Sequence, residues 1–122
     1  MRMIADVALV VVAVLHLGFL ILEMFLWTKP FGMRTFRFSP ELAQATAGLA
    51  ANQGLYNGFL AAGLIWGVIG GDGAYSVRLF FLGCVIIAGI FGGLTAKRSI
   101  IYVQALPGML ALLAVLLAHK AM

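Results

Sequence analysis

The chain has 122 residues, of which 64% are hydrophobic and 10% charged, and its mean hydropathy is +1.12. Soluble domains carry about 25% charged residues, and a chain this short has more surface to cover for its volume, so a soluble reading needs more charge rather than less. Composition therefore excludes a soluble globular domain, a disordered chain and a disulfide scaffold, and leaves an integral membrane protein. The net charge of +4 sits at the flanks of apolar runs. No basic patch with interleaved base-stacking residues appears, so nucleic acid is not an expected partner.

A spanning helix takes about 20 apolar residues, so the length fits about four spans with short connections. The expected spans are residues 4–27, 46–69, 77–95 and 99–118. The first, Ile4 to Trp27, is interrupted only by Asp6, His16 and Glu23. It is longer than the core of a secretory signal, about 7–15 residues, and no clear small-x-small cleavage site follows, so it reads as a retained span.

Connection one, Thr28 to Ser39, interleaves Lys29, Arg34 and Arg37 with Phe31, Met33, Phe36 and Phe38. Cationic heads on aromatic bodies suit a segment lying in the headgroup layer; an ordinary short loop fits equally well. Ser39-Pro40-Glu41 is a helix start: Ser caps, Pro takes the first position and Glu favours the positive helix end. A helix from Pro40 to Ile69 is about 45 Å long. That exceeds a hydrocarbon core of about 30 Å, so its first turns stand outside the membrane or the helix tilts.

Gly70-Gly71-Asp72-Gly73 reads as a tight turn, and Ala96-Lys97-Arg98 is a shorter connection still. Such connections make adjacent helices antiparallel. The expected fold is an all-α, membrane-embedded four-helix up-down bundle, a single domain over residues 1–122. Small residues at intervals of four should let the backbones approach: Gly54, Gly58 and Ala62; Cys84, Ala88 and Gly92; Ala111, Val115 and Ala118. Pro107 frees the carbonyl near Val103 and should kink the last span. Cys84 is the only cysteine, which excludes an intrachain disulfide and leaves it as a small filler.

Four spans put both termini on one side. Connections one and three hold Lys29, Arg34, Arg37, Lys97 and Arg98, and the opposite side holds Arg2, Arg78 and Lys120. The excess of cations favours connections one and three inside and both termini outside, in the bacterial inner or cell membrane.

Ionisable groups within a membrane are costly and face the bundle interior. His16 and Glu23, seven residues apart, lie on one stripe of the first span, with Trp27 one turn beyond. Asn52, Gln53, Tyr56 and Asn57 form a polar patch in the second span, Thr95 ends the third and Gln104 lies early in the fourth. In an up-down bundle these ends meet. The expectation is a polar pocket opening toward connections one and three, built from Glu23, Asn52, Gln53, Asn57, Thr95 and Gln104, with His16 deeper and Trp27, Tyr56 and Trp66 as aromatic walls. A hydrogen-bonded network that merely locks the helices uses the same residues. One His and one Glu two turns apart make no metal-ligand cluster. With His16 the one histidine inside a span, no haem or other cofactor is expected.

These pieces carry a resemblance. His16, the segment Leu22-Glu23-Met24-Phe25-Leu26-Trp27, the segment Asn52-Gln53-Gly54-Leu55-Tyr56-Asn57-Gly58, then Ala88 to Gly92, Thr95, and Gln104 to Pro107 resemble the small bacterial membrane proteins grouped as domain of unknown function 1304. The resemblance covers nearly the whole chain. It implies four spans and a membrane location but no activity, and His16, Glu23, Trp27, Asn52, Gln53, Asn57 and Gln104 match its motif positions. In architecture alone the chain is also similar to small multidrug-resistance transporters, four-span chains with one membrane-embedded Glu in the first span.

Three functions fit the residues. In a small-molecule carrier, Glu23 would be the proton- or cation-coupled group, His16 its relay and the amides the ligand cradle. Four helices make a narrow pocket, so a homo-oligomer is expected there. In an intramembrane enzyme on a lipid-like or small apolar substrate, Glu23 and His16 would be acid and base, although no nucleophile–base spacing names a reaction. In a structural or partner-binding protein, the polar groups would only hold the helices.

Overall fold

The apolar run that opens the chain winds into α1, Arg2–Met24, in the computed structural model, which describes residues 1–121. The helix ends before Trp27 because the Phe25 and Leu26 N–H groups both donate to the Ile21 carbonyl, at 3.0 and 3.1 Å. That closing turn leaves Trp27 in the connection. Connection one is itself a short helix, α2, Pro30–Phe36, with Pro30 in its first turn and Arg37 left-handed at φ 58° as its cap. The Arg37 N–H donates to the Met33 carbonyl, and so does the Phe38 N–H at 3.0 Å. Helix α3 covers Pro40–Ile69, and the Leu42 N–H donates to Ser39 Oγ at 3.2 Å, as the Ser-Pro-Glu start predicts. A 3₁₀ turn, Gly71–Ala74, leads into α4, Tyr75–Thr95. A π-helical turn, Ile101–Ala105, runs straight into α5, Leu106–Lys120. No strand occurs among the described residues.

Three stretches are long and apolar enough to cross a membrane: Arg2–Met24, Gly71–Thr95 and Ile101–Lys120, with mean hydropathies of 2.6, 2.2 and 2.1 over their best windows. Helix α3, at 30 residues, is longer than any of them. Its apolar run is broken by Asn52, Gln53 and Asn57, so length alone supports the expected second span.

The described chain divides into two compact units, Met1–Leu15 with Leu60–Met122, and His16–Phe59. The first is built on a core of Leu9, Val12, Leu64, Leu82, Val85, Ala111 and Val115. The small-residue row of α5, Ala111, Val115 and Ala118, is buried as expected. On α4 the row lies one residue along from the expected one: Gly89 and Gly93 are buried while Ala88 is exposed. A Cβ at Gly89 would lie 2.5 Å from the Ala105 backbone nitrogen, so only glycine admits this approach.

Just before Pro107, where the sequence predicts a kink, the helix takes a wider, π-type turn, one of the features that kinks accompany. The Leu106 N–H reaches back five residues to the Ile101 carbonyl, and this rearrangement absorbs the donor that proline lacks.

Arg78, expected among the flanking cations, is instead 5% exposed. Its Nε donates to the Gly67 carbonyl at 2.8 Å, and its Nη2 lies 2.9 Å from Asp6 Oδ1. That last contact is a charge contact without hydrogen-bond angles. Arg2 and Asp72 form a second pair at 2.6 Å, with 58% and 45% of their side chains exposed, a setting in which ion pairs contribute little. Tyr75 stacks on His119, with ring centroids 3.8 Å apart.

The difference between the two pairs is measurable. Arg78→Ala should lower unfolding free energy in detergent by about 1.5–3 kcal/mol, because it strands the Gly67 carbonyl and Asp6 together. Asp6→Asn should cost less, since Asp6 is partly solvated, and the double variant should be no worse than Arg78→Ala alone. Additive losses in the double-mutant cycle would contradict the pairing.

Candidate functional site

The second unit, His16–Phe59, holds most of the residues the sequence singles out. Gly54 on α3 faces α1 so closely that a Cβ there would lie 2.6 Å from Met24 Cγ and 3.1 Å from Glu23 Cβ. One turn on, a Cβ at Gly58 would lie 2.8 Å from Leu20 Cδ1. The two glycines bring the backbones together, and Asn57, between them in the sequence, reaches Glu23. Asn57 Nδ2 donates to Glu23 Oε1 at 2.6 Å. Asn57 is 5% exposed and Glu23 is half-buried.

Neither of the ion pairs described above involves Glu23. Its described side-chain partner is therefore a neutral amide. A carboxylate whose one oxygen is held by an amide keeps its other oxygen available to a proton or a cationic donor.

Trp27 lies beyond the end of α1 and returns to the same helix. Its indole N–H donates to Thr46 Oγ1 at 3.0 Å, and the Thr46 hydroxyl donates to the Leu42 carbonyl at 2.7 Å. Thr46 and Asn57 are eleven residues apart, about three helical turns, and so share one face of α3. Phe36 and Phe38 pack on the indole at centroid distances of 4.8 and 5.0 Å. Gly32 on α2 is buried, and a Cβ there would run into the Leu26 carbonyl oxygen. Trp27, α2 and the start of α3 are thereby locked together. His16 is fully buried, with its ring edge-on to Phe19 at 5.2 Å.

The remaining expected residues lie elsewhere. Asn52, Gln53 and Tyr56 are on exposed faces of α3, and Tyr56 packs edge-on against Phe59 at 5.9 Å. Gln104 belongs to the first unit, half-buried in the π turn. No group of three or more metal-ligating side chains occurs among the described residues. Sequence reasoning missed Thr46, although its three-turn spacing from Asn57 was a readable signal.

Asn57→Ala removes the donor to Glu23 and should lower unfolding free energy by about 1.5–3 kcal/mol. Asn52→Ala and Gln53→Ala, on exposed faces, should stay within about 0.5 kcal/mol of the parent. Thermal unfolding of the purified variants checks this, and equal effects at all three amides would count against the pairing.

Comparison with known proteins agrees with the residues. The chain is 30% identical over 97 residues to the uncharacterized protein YpaA of Lactococcus lactis subsp. lactis (strain IL1403), covering 78% of this chain and 79% of that one. No solved structure matches. The family described as "Protein of unknown function (DUF1304)" matches residues 10–116, a stretch that contains Glu23, Asn57, Trp27 and every other expected site residue. The chain belongs to the DUF1304 family.

Proposed function

We propose that this protein is a proton- or cation-coupled carrier of a small molecule, with Glu23 as the coupling group. The observation behind this reading is the Asn57–Glu23 hydrogen bond of 2.6 Å, which holds a carboxyl group without a described counter-charge in a helix long and apolar enough to cross a membrane. A carboxylate in that setting is stabilised by taking up a proton or a cation. Trp27 sets the wall on the connection-one side, and His16, one stripe deeper on α1, is the relay. Asn52, Gln53 and Tyr56, exposed on α3, complete the cradle when a second copy closes the narrow bundle.

The architecture proposed with it is a four-span up-down bundle of α1, α3, α4 and α5. Two ion pairs support it. Arg2 and Asp6, at the start of α1, meet Asp72 and Arg78, at the start of α4. Both helices therefore begin on one side, and the chain leaving α1 on the far side has to cross back before α4. Helix α3, about 45 Å long, is the segment with the length to do so. His119 at the end of α5 meets Tyr75 at the start of α4, which supports antiparallel α4 and α5. The cation count then puts connections one and three in the cytoplasm and both termini outside the cell membrane.

Flux tests the coupling. Glu23→Gln keeps an oxygen to accept the Asn57 bond, so the fold survives while the titratable group is lost. In liposomes loaded with ethidium as an organic-cation probe, a proton gradient should drive ethidium exchange through the parent protein and not through Glu23→Gln. Equal rates in the two, or no exchange by the parent, would overturn the reading.

Topology has its own test in a Cys84→Ala background. A membrane-impermeant maleimide should label Gly73→Cys in intact cells, and Thr35→Cys only after permeabilisation. The opposite pattern would invert the orientation, and labelling of both in intact cells would remove the α3 crossing.

A further inference from the structure

We infer that connection one is a binding site for the phosphate headgroups of anionic phospholipid, independent of whatever Glu23 binds. Between Met24 and Pro40 the chain carries Lys29, Arg34 and Arg37 and no acidic residue. All three cations are exposed. Phe25 and Phe31 are also exposed, at 63% and 56%, and suit burial at the boundary of headgroup and acyl chain.

The structure adds rigidity to that composition. A flexible basic loop would lose conformational freedom on meeting a surface. Here the cations sit on a capped helix. The buried Gly32 seats α2 against the Leu26 carbonyl, Phe36 and Phe38 clamp the Trp27 indole, and the indole is tied to Thr46. Arg37 takes a left-handed conformation, φ 58°, which is uncommon for a residue with a side chain. It closes α2, and its backbone N–H caps the Met33 carbonyl. Arg34 Nε donates only a long bond, 3.4 Å, to the Pro30 carbonyl of its own helix, and neither ion pair described for the chain uses any of these three cations.

Connection three also carries two cations, Lys97 and Arg98, but its short turn lacks the aromatic clamp. The two connections are thus an internal comparison. Each cation near an anionic membrane surface is worth about a fivefold preference, and the effect is screened as the Debye length falls from about 10 Å at 0.1 M salt to about 3 Å at 1 M.

The test is competitive lipid retention by the full chain. Detergent-solubilised protein is offered equal phosphatidylglycerol and phosphatidylcholine of the same acyl composition, and the lipid retained is read by native mass spectrometry. The parent should prefer phosphatidylglycerol by tenfold or more. Lys29→Gln/Arg34→Gln/Arg37→Asn should bring the ratio near unity, Asn being tolerant of the left-handed site. Lys97→Gln/Arg98→Gln should keep at least half of the preference. Excess inorganic phosphate should leave the parent's ratio within twofold, because the acyl chain and the aromatic anchors also contribute. A parent without preference, a triple variant that retains it, an equal loss on changing Lys97 and Arg98, or loss to phosphate alone would each overturn the proposal.

A second measurement needs no loss of charge. In a Trp66→Phe background the remaining indole is Trp27. Brominated phosphatidylglycerol should quench it at least threefold more than brominated phosphatidylcholine at 0.1 M salt, and equally at 1 M. Equal quenching at both salt concentrations would overturn the assignment.

Discussion

A polar group carried on an apolar helix has to find its partner inside the protein, because lipid offers none. This requirement organises both units. In one, Asp6 and the Gly67 carbonyl occupy Arg78; in the other, Asn57 occupies Glu23. Each pairing needs two helices in one register, and glycine provides it. Gly54 and Gly58 set the approach that lets the Asn57 side chain span the gap. With larger residues there, the amide would be held away from Glu23, and both groups would be stranded.

The parts of the fold legible in the sequence were those encoded locally. The start of α3 follows from Ser39-Pro40-Glu41, and the beginnings and ends of the apolar runs lie within a few residues of the helix ends. Helix α2 was not legible as a helix, because its seven residues are held by Gly32 and Trp27 rather than by propensity. The α4 contact row was displaced by one residue because small residues occur on adjacent faces, at Ala88 and Gly89, and composition alone does not say which one meets a neighbour. Arg78 read as a flanking charge since its position near a turn hides a partner more than seventy residues away in the sequence.

The same distinction holds at the candidate site. Glu23 stood out because so few charges enter the apolar runs, and Asn57 lay in the most specific segment of the resemblance. Their contact depends on a helix pairing that spacing suggests. The aromatic clamp around Trp27 depends on the path of the connection, which no periodicity encodes. Asn52, five residues before Asn57, points elsewhere because it lies about 140° round the helix, whereas Gln53 is exposed although it lies only about 40° away.

The π turn at Ile101–Ala105 has a geometric consequence. Ile101 sits against Gly93 and Ala105 against Gly89, so the two antiparallel helices meet at residues four apart on each side. On a regular α-helix a four-residue step overshoots a full turn by about 40°, and the second contact would rotate off the line of the first. A turn closed by five-residue hydrogen bonds is wider and takes more residues, so the same step is not carried past the full turn. The residue before Pro107 therefore does more than accommodate a missing donor. Its wider turn resets the face that α5 presents beyond the contacts with Gly89 and Gly93.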